Sequence, residues 1–148
     1  MATVVLVHHG EAEPPGIDPR QPLSARGRAQ VELVGRELAA AGARPDLVWH
    51  SGKLRAKQTA EACWRATNPF ASLAAVRGLL PGDPPAWMRD SLYGEARSIA
   101  VVGHYPHLPA LLALLCGPTD GAGAFPRHGA VILESDGDRW REVWRFEP

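Results

Sequence analysis

Residues 3–7, Thr-Val-Val-Leu-Val, form an unbroken β-branched apolar run that turns polar at His8-His9-Gly10. A run without polar alternation predicts a strand covered on both faces, as in a parallel sheet. Residues 11–22 are rich in Pro, Gly and Asp and read as a loop. Ser24 is a good N-cap for a helix to about Ala41, with Val31, Val34, Leu38 and Ala41 on one face and Gly42 as its stop. Leu47 to His50 is a second short strand. Ser51 is placed to cap a helix over about 54–66, where Ala56, Thr59, Ala60 and Cys63 recur at helical spacing.

Asn68-Pro69 breaks that helix, and Leu73 to Val76 reads as a third strand. Residues 78–85 are dense in Pro and Gly and predict a loop; 87–96 is a weak helix candidate. Ser98 to Val102 is another β-branched strand, followed by Gly103-His104. Pro106 to Leu115 is almost wholly apolar, as in a buried helix. Gly117-Pro118 ends it, and residues 119–127 read as a flexible loop. Residues 130–134 and 139–146 close the chain as two strands, with the Asp-Gly hairpin signal at 136–137 between them. Strands alternate with helices, so we expect an α/β fold: one three-layer α/β/α domain over residues 1–148, with a mostly parallel central sheet and an antiparallel C-terminal edge.

The composition adds exclusions. A chain of 148 residues that is 45% hydrophobic can build a core without disulfides. Cys63 and Cys116 show no metal-ligand spacing and read as ordinary buried thiols. The 16 basic residues equal the 16 acidic ones, so bulk charge gives no reason to expect nucleic-acid or membrane binding. The first residues carry no signal-peptide pattern and no segment is a membrane span, which makes the cytoplasm the expected compartment and monomer the default state.

The chemistry sits at strand ends. Two buried-looking strands each run into a Gly-flanked histidine, His9 and His104. Ligands in open α/β sheets bind beyond the carboxyl ends of the strands. Arg55, in the first turn of the 54–66 helix, adds a cationic fork near a helix N-terminus, and both favour phosphate. An imidazole can attack phosphorus to form a phosphohistidine while a second histidine and an arginine stabilise the equatorial oxygens. That chemistry needs no metal or other cofactor.

Four blocks carry a family resemblance. Val7-His8-His9-Gly10-Glu11 resembles the Arg-His-Gly-Glu signature of the histidine phosphatase, or phosphoglycerate mutase-like, superfamily. Pro22-Leu23-Ser24-Ala25-Arg26-Gly27 resembles its Pro-Leu-(Ser/Thr)-x-x-Gly block, Ser51 to Glu61 its Ser-x-x-x-Arg-x-x-Gln-Thr-Ala-Glu block, and Val102-Gly103-His104-Tyr105-Pro106 its Val-Gly-His-x-Pro block. Order and spacing match from about residue 4 to 117. The resemblance implies a phosphohydrolase acting on phosphohistidine or a small phosphomonoester. It makes His9 the nucleophile and Arg55 and His104 catalytic partners, with His8, Gly10, Arg20 and Tyr105 as further phosphate contacts. Short length and the 18–23 segment look most like the small bacterial phosphohistidine phosphatases, whose partners are phosphorylated proteins or small phosphorylated metabolites. Asp83 is the candidate proton donor for the leaving group, ahead of Asp90 and Glu95.

His8 stands where the family has arginine. A histidine near its reference pKa is only partly charged at neutral pH, and the missing fork could cost about 2–4 kcal/mol in the transition state. Lys53 and His107 are candidates for compensating charge. Two other readings stay open: a weak or inactive member that binds a phosphorylated ligand, and a metal site built from histidines 8, 9, 50, 104 and 107. Alternation along a strand argues against His8 and His9 ligating the same ion.

Overall fold

The computed structural model describes residues 2–117, 124–137 and 139–148. The elements run β1 (Ala2–His8), α1 (Ala25–Ala40), β2 (Leu47–His50), α2 (Leu54–Thr67), β3 (Ser72–Ala75), α3 (Pro85–Tyr93), β4 (Ile99–Gly103), α4 (His107–Cys116), β5 (Ala130–Ser135) and β6 (Trp140–Phe146). They form one sheet of order β3-β2-β4-β1-β5-β6. β1 to β4 are mutually parallel along the pairings β3·β2, β2·β4 and β4·β1, whereas β5 and β6 add an antiparallel edge. This is the expected α/β architecture.

Alternation along β1 divides the core. Val4 and Leu6 face one cluster with Met88 and Leu92 of α3 and Leu108, Leu111, Leu112 and Leu115 of α4. Val5 and Val7 face the other, with Val34 and Leu38 of α1 and Ala56, Ala60 and Cys63 of α2. A strand buried on both faces cannot alternate apolar with polar, which is why 3–7 is an unbroken run. Both cysteines are free, Cys63 buried and Cys116 half-buried. Among the described residues no helix is long and apolar enough to cross a membrane.

Most boundaries lie within two residues of expectation. α3 departs furthest: it starts at Pro85 rather than 87 and stops at Tyr93, three residues short of 96. Proline is tolerated at the first helical position because its missing N–H has no intrahelical partner there, so the proline-rich loop ends inside the helix. Ser24 caps α1 as expected, accepting the Gly27 N–H at 3.0 Å. Ser51 does not cap α2. Lys53 is its N-cap and makes no side-chain capping bond. The expected 119–127 loop falls mostly outside the described residues, as does Asp138 of the expected hairpin turn.

Two glycines set where the loop after β1 can lie. A Cβ on Gly27 would come 1.9 Å from the Glu11 carbonyl oxygen, and one on Gly10 would come 2.7 Å from Val31 and 2.9 Å from the Gly27 carbonyl. The first turn of α1 therefore rests directly on the backbone of residues 10–11. Replacing Gly27 by alanine must push that loop away; we expect a loss of about 2–3 kcal/mol, read as a lower urea midpoint, together with weaker phosphate binding. An unchanged midpoint would show that the contact yields at little cost.

Candidate functional site

Register brings the strand-end histidines together. His8 pairs with Gly103 across the parallel β1·β4 ladder, so His9 and His104 emerge side by side. The His9 N–H donates to the Gly103 carbonyl at 3.2 Å, and the two imidazole centroids lie 5.0 Å apart. β2 is the other neighbour of β4, and Ser51 just beyond it reaches His104, with Oγ 2.6 Å from Nε2. Ser51 Oγ also accepts the Lys53 N–H at 3.3 Å. Ser51 is thus a partner of His104 rather than a helix cap.

The conserved-looking spacing in α2 has a mechanical explanation. Arg55 projects from the first turn, and its guanidinium donates to Gln21 Oε1 at 3.2 Å. Gln58 accepts the Leu23 N–H at 2.8 Å, and Thr59 Oγ1 accepts the Gly10 N–H at 3.0 Å while donating to the Arg55 carbonyl at 2.8 Å. One helix face thereby presents the cation and ties down both loops around it.

Hydrogen-bond directions assign the imidazole protons. A carbonyl only accepts, so the 2.7 Å contact of His9 Nδ1 with the Gly10 carbonyl puts a proton on Nδ1 and leaves a lone pair on Nε2. His8 is the reverse: its Nδ1 accepts the His128 N–H at 2.8 Å, so its own proton sits on Nε2. His8 is therefore a neutral donor. Burial pushes it down to about 2, with His9 as the next cause. Burial likewise lowers His9 to about 4 and His104 to about 3, assisted by the Arg55 charge in both and by Lys53 in His104. The expected partial charge on His8 is absent from this environment.

The sixth histidine is the residue that sequence reasoning missed. β5 runs antiparallel to β1, with Val7 opposite Ala130, so the segment just before β5 lies at the same sheet end as the end of β1. The His8 N–H donates to the Gly129 carbonyl at 2.9 Å, and His128 Nδ1 lies 2.8 Å from the His9 carbonyl, to which it must donate. His128 stacks on His8 with centroids 4.7 Å apart and planes 12° apart. Its backbone is left-handed, φ +54°, a region in which histidine is enriched among non-glycine residues. The signal was available: a strand starting at 130 and pairing antiparallel with β1 must deliver residue 128 here.

Other expectations need correction. Arg20 is exposed and closes on Asp18 at 3.0 Å; no hydrogen bond or ion pair joins it to the histidines. The Tyr105 hydroxyl donates to the Phe125 carbonyl, so Tyr105 contributes a wall, its ring centroid 4.6 Å from that of His8. His50 has the parity of Val48 and faces the α2 side, where Lys57 and Glu61 lie nearby; its Nδ1 accepts the Gly52 N–H. His107 is fully buried with both ring nitrogens unpartnered and its pKa lowered by burial, so it supplies no charge. Lys53 is near enough to act on His104. Asp83 shares a surface cavity with Ser51, Arg77 and Trp87, and its carboxylate accepts the Leu80 N–H. Asp90 pairs with Arg89, and Glu95 with Arg97, which holds that carboxyl at about 2.

One ring nitrogen from each of His8, His9 and His128 lies within 4.8 Å of the others, a grouping that could hold a metal ion. Strand alternation does not separate His8 from His9, because β1 ends at His8; their rings are 4.5 Å apart. The tautomers give a different obstacle. A ligand nitrogen needs a free lone pair, and the His128 N–H already occupies the one on His8. Only His9 and His128 offer lone pairs, so the cluster fits an anion better than a three-histidine metal centre.

A family model for the histidine phosphatase superfamily (branch 1) matches residues 4–79. The chain is similar in structure to a candidate phosphohistidine phosphatase SixA from Agrobacterium tumefaciens (TM-score 0.84, 24% identity, covering 99% of this chain and 97% of that one). It is also similar to a protein histidine phosphatase SixA complexed with tungstate (TM-score 0.82, 22% identity, 98% and 96% covered). A mycobacterial glucosyl-3-phosphoglycerate phosphatase complexed with VO3 matches at TM-score 0.71 and 17% identity, over 96% and 98% of the two chains. No curated protein matches.

The neutral imidazoles have a consequence for stability. His8, His9 and His104 are held below the ordinary 6.5, so below that pH the unfolded chain binds protons that the folded chain refuses. Their contribution is complete above about pH 6.5 and falls as pH drops toward the folded values. His8→Gln keeps an N–H donor and removes one titration. Its urea stability should fall less steeply between pH 6.5 and 5, by up to about 1.4 kcal/mol per pH unit; identical slopes would contradict a neutral buried His8.

Proposed function

The chain belongs to the histidine phosphatase superfamily, and on that premise we propose that it is a phosphohydrolase using His9 as a covalent nucleophile. The observation that carries this is the state of His9: Nδ1–H is fixed on the Gly10 carbonyl, and Nε2 is bare at the end of β1, beside Arg55 and His104. Low basicity keeps that lone pair free at neutral pH instead of protonated.

In the proposed reaction Nε2 attacks phosphorus as the bond to the leaving group breaks, giving phosphohistidine at His9. Arg55 and the Nε2–H of His8 donate to the equatorial oxygens, and His104, held by Ser51, completes that side. The leaving group departs with its electron pair and takes a proton; of the three acid candidates Asp83 lines the cavity that also contains Ser51, and Asp90 and Glu95 do not. Water then attacks phosphorus, the P–N bond breaks, and inorganic phosphate leaves with His9 neutral again. The scheme uses no metal or other cofactor.

We assign the substrate to phosphohistidine in a protein, or a small phosphomonoester, in a one-domain monomeric enzyme of the cytoplasm. Protonated imidazole is a good leaving group, so phosphohistidine makes the smaller demand on Asp83. A second reading is favoured by one observation: His8 brings a neutral donor where the family pattern has a permanent cation. On that reading the protein binds a phosphorylated ligand and turns it over slowly or not at all.

Phosphate release from a phosphohistidine peptide and from p-nitrophenyl phosphate separates the two. We expect wild-type turnover that drops by at least about 1000-fold in His9→Ala and about 100-fold in Arg55→Ala. No wild-type turnover on either substrate, with activity appearing in His8→Arg, would establish the binding reading instead.

A further inference from the structure

We propose that His128 is the pocket's proton-coupled anion contact: it takes up a proton when a phosphoryl dianion enters, and the resulting imidazolium supplies the positive charge that His8 lacks. The inference rests on the phosphohydrolase reading and adds a residue that neither the motif blocks nor the family match, which ends at residue 79, reaches.

Elimination over the pocket leads to it. A phosphoryl dianion meets one permanent cation, Arg55, with Lys53 further out toward His104. Arg26 is drawn to Glu11 and the Arg127 head lies over the Tyr105 ring, so the histidines are the next source of charge to consider. His8 cannot provide it, because a second proton would have to sit on Nδ1, where the His128 N–H already points. His9 cannot, because protonating Nε2 removes the nucleophile. His104 is fully buried, its Nδ1 has no partner among the described residues to receive a second N–H, and burial together with the nearby Arg55 and Lys53 charges lowers it to about 3. His128, half-buried as His9 is, has its Nδ1–H already committed to the His9 carbonyl and no hydrogen bond to Nε2 among the described residues. It can gain a proton without losing a bond.

Position allows the contact. The His128 ring lies 6.2 Å from that of His9, centroid to centroid, and stacks on the donor His8. One nitrogen of His128 is within 4.8 Å of a nitrogen on each of the other two. The stacked pair then presents two N–H groups from nearly parallel planes, as a guanidinium presents two from one plane.

The surrounding charges leave the decision to the ligand. His8 faces His128 from β1, His9 and Glu11 from the loop after it, Arg26 and Gln30 from α1, Arg127 from its own segment, and Glu147 from beyond β6. Arg26 lies 3.9 Å from Glu11. Glu147 accepts the Arg127 N–H, and the Arg127 head sits over the Tyr105 ring, 5.5 Å from its centroid. These acids and bases engage one another, and an arriving dianion would bring the negative charge to which a second N–H on His128 donates.

The test is calorimetric titration with sulfate, which stays dianionic from pH 5.5 to 8, in two buffers of different ionisation enthalpy. Wild type should bind sulfate with net proton uptake and lose affinity as pH rises. His128→Asn tolerates the left-handed backbone and keeps an N–H for the His9 carbonyl, but cannot take a proton. It should bind about tenfold or more weakly at pH 6, the scale of one charge-assisted hydrogen bond, and without that uptake. Equal uptake and affinity in the two proteins would overturn the role of His128 while leaving the phosphoryl pocket intact. Zero uptake in wild type overturns it as well, even if the variant does not fold. Absence of any sulfate binding to wild type, together with absence of turnover, contradicts the phosphohydrolase reading itself.

Discussion

The site depends on how tightly the three residues after β1 are clamped. His9, Gly10 and Glu11 are held from below by the β4 ladder, from one side by the backbone of Gly27, and from the other by Thr59. None of these contacts involves the reactive nitrogen. Together they fix the Gly10 carbonyl, and that carbonyl decides which nitrogen of His9 is protonated. The chemistry at Nε2 is therefore set by packing between two helices that themselves contribute only Arg55 to the pocket. Motif positions as unlike as Gly27, Gln58 and Thr59 belong to one device, because each satisfies or admits backbone of the same two loops.

Burial does the second part of the work, and it acts in opposite senses on the two tasks of the pocket. A nucleophilic imidazole gains from a dry surrounding, which keeps its lone pair free. An anion site loses from the same surrounding, since His8 and His104 stay neutral in it. An arginine before the nucleophile reconciles the two demands, because its charge survives burial. With His8 at that position the conflict is open. What it retains is direction: the backbone N–H of His128 orients its ring so that the remaining proton is on the far nitrogen.

The fold, and the strand-end position of His9 beside His104, were legible in the sequence because their signals are local. An unbroken apolar run, a capping serine three residues before glycine, and a Gly-flanked histidine at a strand end each need only a few neighbouring residues to be read. The roles missed or misplaced depend on pairing. His128 enters through the antiparallel register of β5 on β1, which no short window contains. His50 looks like a pocket residue by position, but strand parity turns it toward α2. Ser51 has the right chemistry for a helix cap, and the competing imidazole of His104 takes its hydroxyl instead. Tyr105 follows His104 in its motif block, yet its hydroxyl goes to the Phe125 carbonyl. In each case residue type suggested a capability, and a tertiary partner decided where it was used.

The three clustered histidines show how far hydrogen-bond direction can separate similar side chains. By distance alone His8, His9 and His128 are equivalent, with nitrogens mutually within 4.8 Å. By direction they separate into one donor and two acceptors. His8 receives a backbone N–H, so its other nitrogen donates; His9 and His128 give protons to backbone carbonyls, so theirs accept. A metal would need three lone pairs and finds two. A phosphoryl group needs a nucleophile behind phosphorus and donors around its oxygens, the parts proposed for His9 and for His8 with Arg55. The same backbone segment that supplies His128 also sets the tautomer of His8, so the antiparallel edge of the sheet completes a site whose motifs all lie on the parallel strands or on the loops and helices that follow them.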